Sequence, residues 1–178
     1  MCSRIFSALG AAFFLGGCIS MQPPPGFLVI ERGLHDFKAV SADDARLWVR
    51  TFGDPHGGEL AFWGDVLKKD FVDGRGYTPI AEGTATDGCG RKGLEYVFEV
   101  TAYGAARRYL VALFVIEGWC WYDNTICVAQ FTAEKKLFEE YAPAVRAALA
   151  TLKPWAHRRR GFPRAQPLYP PLVPVSRS

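Results

Sequence analysis

The segment Tyr109-Leu-Val-Ala-Leu-Phe-Val-Ile116 is apolar throughout and contains several β-branched and aromatic residues. A short apolar run of this kind predicts a strand that is buried on both faces and therefore lies inside a sheet. Two further strand-like runs precede it, Tyr77–Thr86 and Leu94–Thr101. The second alternates apolar and polar residues, which indicates one buried face and one face that is mostly exposed to water. With the third run extending over Arg108–Glu117, the three predict an antiparallel meander.

The residues before this meander predict a hairpin and a helix. Phe37–Val40 and Arg46–Phe52 are strand-like, and the polar segment Ser41-Ala-Asp-Asp-Ala45 between them is typical of a turn. From Glu59 to about Val72 the apolar residues recur at helical spacing. Gly74-Arg-Gly76 is expected to end that helix.

The residues after the central strand predict one more strand and a long helix. Asp123-Asn124 is expected to form a two-residue turn into Thr125–Phe131. Thr132 is a candidate N-cap for an amphipathic helix from Ala133 to about Leu152, in which Pro143 should cause a kink or begin a new turn. These elements together predict an α/β protein of the α+β type, with an antiparallel sheet of about six strands and two main helices.

The N-terminal residues predict an export signal. Arg4 is followed by an uncharged run from Ile5 to Gly17, which is shorter than the ~20 residues that a membrane-spanning helix needs. The run ends in Leu15-Gly16-Gly17-Cys18, which resembles the lipobox of bacterial lipoproteins. The resemblance implies that Cys18 takes a diacylglyceryl group and that its freed amine takes a further chain such as palmitate. A leader cleaved without lipid and a short uncleaved anchor are the alternatives.

Composition divides the chain into a leader, residues 1–17, and three mature parts. Residues 18–26, the lipidated cysteine and a proline-rich stretch, are expected to form an extended, solvated tether. Residues 27–153 are expected to form a single domain, and residues 154–178, rich in proline and arginine, a disordered tail. One of the 21 Lys and Arg residues lies in the leader and five lie in the tail, which leaves 15 against 18 acidic residues. A domain of charge −3 has no general electrostatic reason to bind nucleic acid, although the whole chain carries +3.

Several segments of the domain resemble the PsbP-like family. Phe37-Lys-Ala-Val40 with Arg46-Leu-Trp-Val-Arg50 looks like the opening hairpin of that fold. Three later segments look like its later elements: Phe62-Trp-Gly-Asp-Val-Leu67, Gly90-Arg-Lys-Gly-Leu-Glu-Tyr96 and Phe138-Glu-Glu-Tyr-Ala-Pro-Ala-Val145. The fold is shared by the extrinsic P protein of photosystem II, a Ran-binding nuclear import factor and various bacterial envelope lipoproteins. The resemblance implies a sandwich of antiparallel sheet and helices, and a role in binding or assembly rather than catalysis.

Candidate catalytic residues are few. Gly88-Cys-Gly-Arg-Lys-Gly93 matches G-x-G-x-x-G, but a dinucleotide site needs a helix after this loop and the following residues are strand-like, so a hairpin turn is the better interpretation. His35 and His56 are the only histidines of the domain. With Asp36 or Asp54 they would bind the metal of a metal-assisted hydrolase, which is the alternative function. No H-x-x-x-H or C-x-x-C spacing supports a metal site, and no cofactor is expected.

The predicted hairpin tip holds two cysteines. With a two-residue turn at Asp123-Asn124, Cys120 lies opposite Cys127 at a Cα separation of ~4.5–5.5 Å, which permits a disulfide. Two buried free thiols, or a bridge from Cys89 to either cysteine, are the alternatives.

Two further groups of residues are candidate contact surfaces. Large aromatic side chains at the same predicted tip either form a partner-binding patch or pack in the core; they are Trp119, Trp121 and Tyr122. Arginines of the tail either contact anionic headgroups or belong to a solvated tail without function; they are Arg158, Arg159, Arg160 and Arg164.

The leading functional hypothesis is a non-enzymatic lipoprotein of the cell envelope that acts as a binding or assembly factor. It would face the periplasm, tethered by acylated Cys18, and its partner would be another envelope protein. By resemblance to lipoproteins, the absence of Asp directly after Cys18 favours the outer membrane of a Gram-negative cell.

Overall fold

The domain is built on one antiparallel sheet. The computed structural model describes residues 19–102, 104–117 and 124–154, and within them seven strands pair in the order β1-β2-β3-β7-β6-β5-β4. The strands are β1 (Phe27–Arg32), β2 (Asp36–Ser41), β3 (Arg46–Asp54), β4 (Thr78–Thr86), β5 (Lys92–Ala102), β6 (Ala105–Ile116) and β7 (Asn124–Glu134). The helices are α1 (Leu60–Lys69), followed by a π-helical turn at Asp70–Gly74, and α2 (Lys135–Leu149). The predicted α+β fold, an antiparallel sheet with two main helices, is confirmed.

The two helices pack on opposite faces of the sheet. Ala112 of β6 is buried with Val145 of α2 in one core, which we call the α2 core. Val111 and Leu113 are buried with Phe71, just after α1, in a second core, which we call the α1 core. Because successive side chains of a strand point to opposite faces, β6 contributes to both cores. The prediction that this apolar run is an interior strand is therefore confirmed.

One local prediction is wrong, and one strand was not predicted. Within the described residues the sheet has seven strands where about six were expected, because Phe27–Arg32 pairs with β2 as an edge strand. Thr132 does not cap a helix: β7 continues to Glu134, which pairs with Arg107, and α2 begins at the next residue. Pro143 lies inside α2 and does not begin a new turn, so the kink is the alternative that stays a prediction.

The alternation in β5 predicted that its polar face is mostly exposed to water. This prediction is wrong. Val97 on that face is buried in the α2 core. Glu95 accepts a hydrogen bond from Arg146 of α2 at 2.7 Å, and Glu99 accepts one from Arg108 of β6 at 2.9 Å. The acidic side chains therefore pair with basic residues of α2 and β6 instead of forming a free solvated face.

The prediction of a solvated tether is also wrong for Ile19 and Met21. Ile19 and Met21 are buried in the α2 core, and Ser20 pairs with Lys153 just beyond α2. The buried core therefore includes residues that were assigned to the tether. No helix among the described residues is long and apolar enough to cross a membrane.

Candidate functional site

The α1 side of the sheet is only partly covered. Helix α1 packs on β5 and β6, and Trp63 of α1 reaches Phe52 at the end of β3, with ring centroids 6.0 Å apart. Beyond Phe52, side chains of β2, β3 and β7 on the same side are half-buried. We call this surface the open face; its residues are Asp36, Lys38, Trp48, Arg50, Phe52 and Gln130.

Strand register brings these residues onto one side. Trp48 lies opposite Lys38 of β2 and Gln130 of β7, and Arg50 lies opposite Asp36 of β2. Directly opposite residues of an antiparallel pair share a face, so their side chains contact one another. The sequence dictates part of this arrangement, because Trp48, Arg50 and Phe52 occupy every second position of one strand.

Trp48 is the centre of the open face and lies near two cations. The guanidinium carbon of Arg50 is 4.4 Å from the centroid of the indole, and Nζ of Lys38 is 5.4 Å from it. Such cation–π contacts contribute ~0.5–1 kcal/mol at exposed sites and more when a partner excludes water. The indole is therefore held in a defined orientation at the surface.

One carboxylate positions both Trp48 and Arg50. Asp36 Oδ1 accepts hydrogen bonds from Trp48 Nε1 at 3.1 Å and from Arg50 Nε at 3.0 Å. Lys38 is paired in turn with Glu31 of β1 at 2.6 Å. These are partly exposed ion pairs, so they contribute little to stability, but they fix the geometry of the surface.

The open face contains a shallow depression lined by Trp48, Arg50, Phe52, Val128 and Gln130. Its walls combine two aromatic rings, one guanidinium and one amide. Trp and Arg are the residue types that most often dominate protein–protein binding energy, because they bury a large area and retain directional hydrogen bonds. The surface is chemically suited to an extended or aromatic segment of a partner protein.

Asp54 organises the loop between β3 and α1, next to the open face. Its side chain is buried, and the residue is only 2% exposed. It accepts hydrogen bonds from Trp63 Nε1 at 2.9 Å and from the backbone N–H groups of His56 at 3.0 Å and Gly58 at 2.5 Å. Burial alone would raise the pKa of Asp54, but these hydrogen bonds outweigh it and hold the pKa below its usual value. The carboxylate thereby ties the loop to α1.

The residues of the alternative hydrolase are not arranged as a metal site. His35 Nδ1 lies 3.3 Å from Thr51 Oγ1, and His56 is exposed in the loop after β3. The two carboxylates considered as co-ligands are committed elsewhere, Asp36 to Trp48 and Arg50, and Asp54 to Trp63 and its own loop. Within the described ranges, no three His, Cys, Asp or Glu side chains are grouped so that they could hold a metal ion.

The glycine-rich segment forms a hairpin turn, as expected. Asp87 Oδ1 accepts hydrogen bonds from the backbone N–H groups of Cys89 and Arg91, both at 2.9 Å, and strand β5 begins at Lys92. Because a strand and not a helix follows the loop, the dinucleotide interpretation has no structural basis.

The predicted turn at Asp123-Asn124 is wrong, and with it the register that placed Cys120 opposite Cys127. Ile116 pairs with Thr125, so the connection between β6 and β7 is longer than two residues. Cys127 lies opposite Phe114 of β6 and Thr51 of β3, and it is a buried free thiol whose pKa is raised by burial. Cys89, the other free cysteine of the described residues, is exposed.

Most of the predicted contact residues lie outside the described residues. This holds for Cys18 and Cys120, for the aromatic group Trp119, Trp121 and Tyr122, and for the tail arginines Arg158, Arg159, Arg160 and Arg164. Conversely, the open face was not predicted from the sequence. The alternation from Trp48 to Phe52 was a usable signal for it, but the contributions of β2 and β7 depend on register.

The fold resembles that of solved proteins of low sequence identity. LpqN of Mycobacterium tuberculosis, described as involved in cell envelope biogenesis, superimposes with a TM-score of 0.61 at 12% identity over 80% of this chain and 88% of LpqN. The chain shares the LpqN fold. The Saccharomyces cerevisiae Ran-binding protein Mog1p gives a TM-score of 0.46 at 16% identity over 77% of this chain and 86% of Mog1p. A Bacteroides thetaiotaomicron protein gives 0.45 at 15% identity over 82% of this chain and 47% of that protein. No protein-family description and no curated protein matches the sequence.

Replacing Asp54 by Asn should loosen the loop beside the open face. The amide cannot accept at both of its terminal atoms, so at least one donor among Trp63 and the loop N–H groups loses its partner. We expect Asp54→Asn to lower the free energy of unfolding by about 1.5–3 kcal/mol at pH 7, measured by urea denaturation. The exposed control Asp73→Asn should change it by less than about 0.5 kcal/mol.

The difference in the free energy of unfolding between Asp54→Asn and the original protein should depend on pH. Because the folded pKa of Asp54 is lowered, its contribution is fully present above the unfolded pKa of ~3.9 and is lost as pH falls through the folded value. The two denaturation curves should therefore converge below about pH 4. An unchanged difference at low pH would contradict this role for the carboxylate.

Proposed function

We propose that the protein is a membrane-anchored lipoprotein of the cell envelope that binds or helps to assemble another envelope component, and that it is not an enzyme. The observation that carries the proposal is the open face, where Trp48 is held by Asp36 beside Arg50 and Lys38. An ordered aromatic and charged surface of this kind is suited to recognition of a protein. The fold supports the proposal, because LpqN, which has the same fold, is described as involved in cell envelope biogenesis.

The open face offers binding energy that folding leaves unused. The side chains of Asp36, Lys38 and Arg50 retain 25%, 37% and 27% of their exposure. A partner that covers the depression would remove water from the Trp48 contacts and strengthen them, since electrostatic attraction rises as the surrounding water is excluded. Because the hydrogen bonds to Asp36 already fix the indole, little side-chain entropy remains to be lost on binding.

Site-specific photocrosslinking in the host tests the open face. A photoreactive amino acid at Gln130, on the rim of the depression, should capture a defined envelope protein. The same residue at Ile80, which is 46% exposed on edge strand β4, should not capture it. Trp48→Ala should abolish the adduct from position 130, because it removes the central side chain while leaving the strand in place. Equal capture from both positions, or capture that survives Trp48→Ala, would contradict the assignment of this surface.

The proposed localisation depends on the acylation of Cys18. Cleavage before Cys18 and acylation of its thiol and amine would attach the domain to a membrane on its periplasmic side, with the outer membrane favoured if the host is Gram-negative. The intact mass of protein from host membranes should fit a chain that begins at acylated Cys18. Cys18→Ser should be found without acyl chains. A mass that retains Met1, or a cleaved chain without lipid, would contradict the lipoprotein assignment.

The arginines of the C-terminal tail are proposed as a second, electrostatic contact with the same membrane. Ser20 N–H donates to Lys153 O at 3.2 Å and Lys153 N–H donates to Ser20 O at 2.7 Å. A tail that continues from Lys153 would therefore start close to the proposed attachment at Cys18. Each basic residue near an anionic surface contributes ~1 kcal/mol. The aromatic residues Trp119, Trp121 and Tyr122 remain proposed partner contacts.

Removing three tail charges should weaken binding to anionic vesicles. In a Cys18→Ser protein without the leader, replacing Arg158, Arg159 and Arg160 by Ala should lower vesicle affinity by about a hundredfold at low salt, since ~3 kcal/mol is lost. A control that replaces three exposed lysines of the helices by Ala should lower it much less: Lys69, Lys135 and Lys136. Similar losses in the two variants, measured by vesicle sedimentation, would show that the tail has no special role.

A further inference from the structure

The first described residues are fastened into the domain. Ile19 is fully buried and Met21 is nearly so. The backbone N–H of Ile19 donates to Gly33 O at 3.3 Å, the Ser20 backbone pairs with Lys153, and Gln22 N–H donates to Thr151 Oγ1 at 2.9 Å. These contacts reach three separate parts of the chain and leave no free linker from residue 19 onward.

Because Ile19 is fixed in the domain, no flexible linker separates Cys18 from it. Cys18 is peptide-bonded to Ile19, so its Cα is ~3.8 Å from that of a fully buried residue. Acyl chains on Cys18 would therefore enter the bilayer directly beside the surface around Gly33. This step depends on the lipid attachment in the proposed function.

We propose that the turn between β1 and β2 is a membrane-contact surface, and that Leu34 inserts into the lipid beside acylated Cys18. Leu34 follows Gly33, the residue that binds Ile19, and it is 51% exposed. Ile30 on β1 is 62% exposed and lies on the same edge of the sheet. Exposed apolar side chains of this kind are stabilised where headgroups meet acyl chains.

Two exposed cations beside this turn fit a bilayer as the occupant, and the exposed carboxylate of Glu31 on β1 is paired with Lys38. Arg32, at the end of β1, and Lys153, opposite Ser20, are both exposed. Cations beside an inserted apolar side chain pair with anionic headgroups. The lipid on Cys18 would hold the turn at the bilayer, so even a small apolar contact would be occupied, because the anchor supplies a high local concentration.

A membrane contact at this turn would also orient the open face. The turn lies where β1 ends and β2 begins, and Thr51 of β3 donates its N–H to His35 O at the same end. The strands would then lead away from the bilayer, and the open face would point sideways towards a partner in the same membrane.

Depth-dependent fluorescence quenching tests the contact in the full, acylated protein. Cys89 and Cys120 are first replaced by Ser, and an environment-sensitive NBD label is attached to Leu34→Cys or to the control Ile80→Cys on the opposite edge strand. The protein is reconstituted in vesicles that contain lipids spin-labelled in the acyl chain. Since interfacial groups lie within ~5–10 Å of the acyl boundary, we expect position 34 to lose at least about half of its emission and position 80 to lose little.

An inserted linker distinguishes a turn that is held against the bilayer by Cys18 from a domain that is only attached to it through Cys18. About ten Gly and Ser residues between Cys18 and Ile19 add a mean span of about 17 Å, which should release position 34 from the quencher. Quenching that is equal at positions 34 and 80, in protein that remains vesicle-bound through Cys18, would overturn the membrane contact and leave the lipoprotein assignment intact. Protein that carries no acyl chain and does not bind vesicles would overturn both.

Discussion

The structure depends on the pairing of strand β7 with β3 on one side and β6 on the other. It is the last of the described strands in sequence, yet it joins the β1–β3 hairpins to the β4–β6 meander. Arg46 pairs with Thr132, far along the chain, and such pairing costs loop-closure entropy before it stabilises the fold. Burial on both faces offsets that cost, because Ile126 contributes to the α1 core and Phe131 to the α2 core.

The open face exists because one helix is narrower than the sheet it covers. Seven strands at a spacing of ~4.8 Å extend over about 29 Å, whereas a helix with side chains is ~10–12 Å wide. Helix α1 therefore covers β5 and β6. The side chains on the same side of β7, β3 and β2 lie beyond the helix. Trp48 and Arg50 of β3 are among these side chains. Their exposure is compatible with solubility because this surface becomes charged where it leaves the core, through Asp36 and Lys38.

Both ends of the domain meet at one place, which links the fold to the proposed attachment. The pairing of Ser20 with Lys153 and the burial of Ile19 place the first and the last described residues of the domain side by side. A lipid on Cys18 and a basic tail would then act on the same patch of membrane. A lipid anchor and an electrostatic contact that act together bind a membrane more firmly than either one alone.

Local patterns in the sequence were sufficient for the fold class and for the interior position of the Tyr109–Ile116 strand, because side-chain period is a property of neighbouring residues. They failed where partners are distant. The turn at Asp123-Asn124 was wrong because Thr125 pairs with Ile116 of β6, and the cap at Thr132 was wrong because pairing with β6 extends β7 to Glu134. Only the tertiary structure decided that Asp36 holds Trp48 and that Ile19 is buried. The physical reason is that register and burial depend on contacts between segments that are far apart in the chain, which no local period encodes.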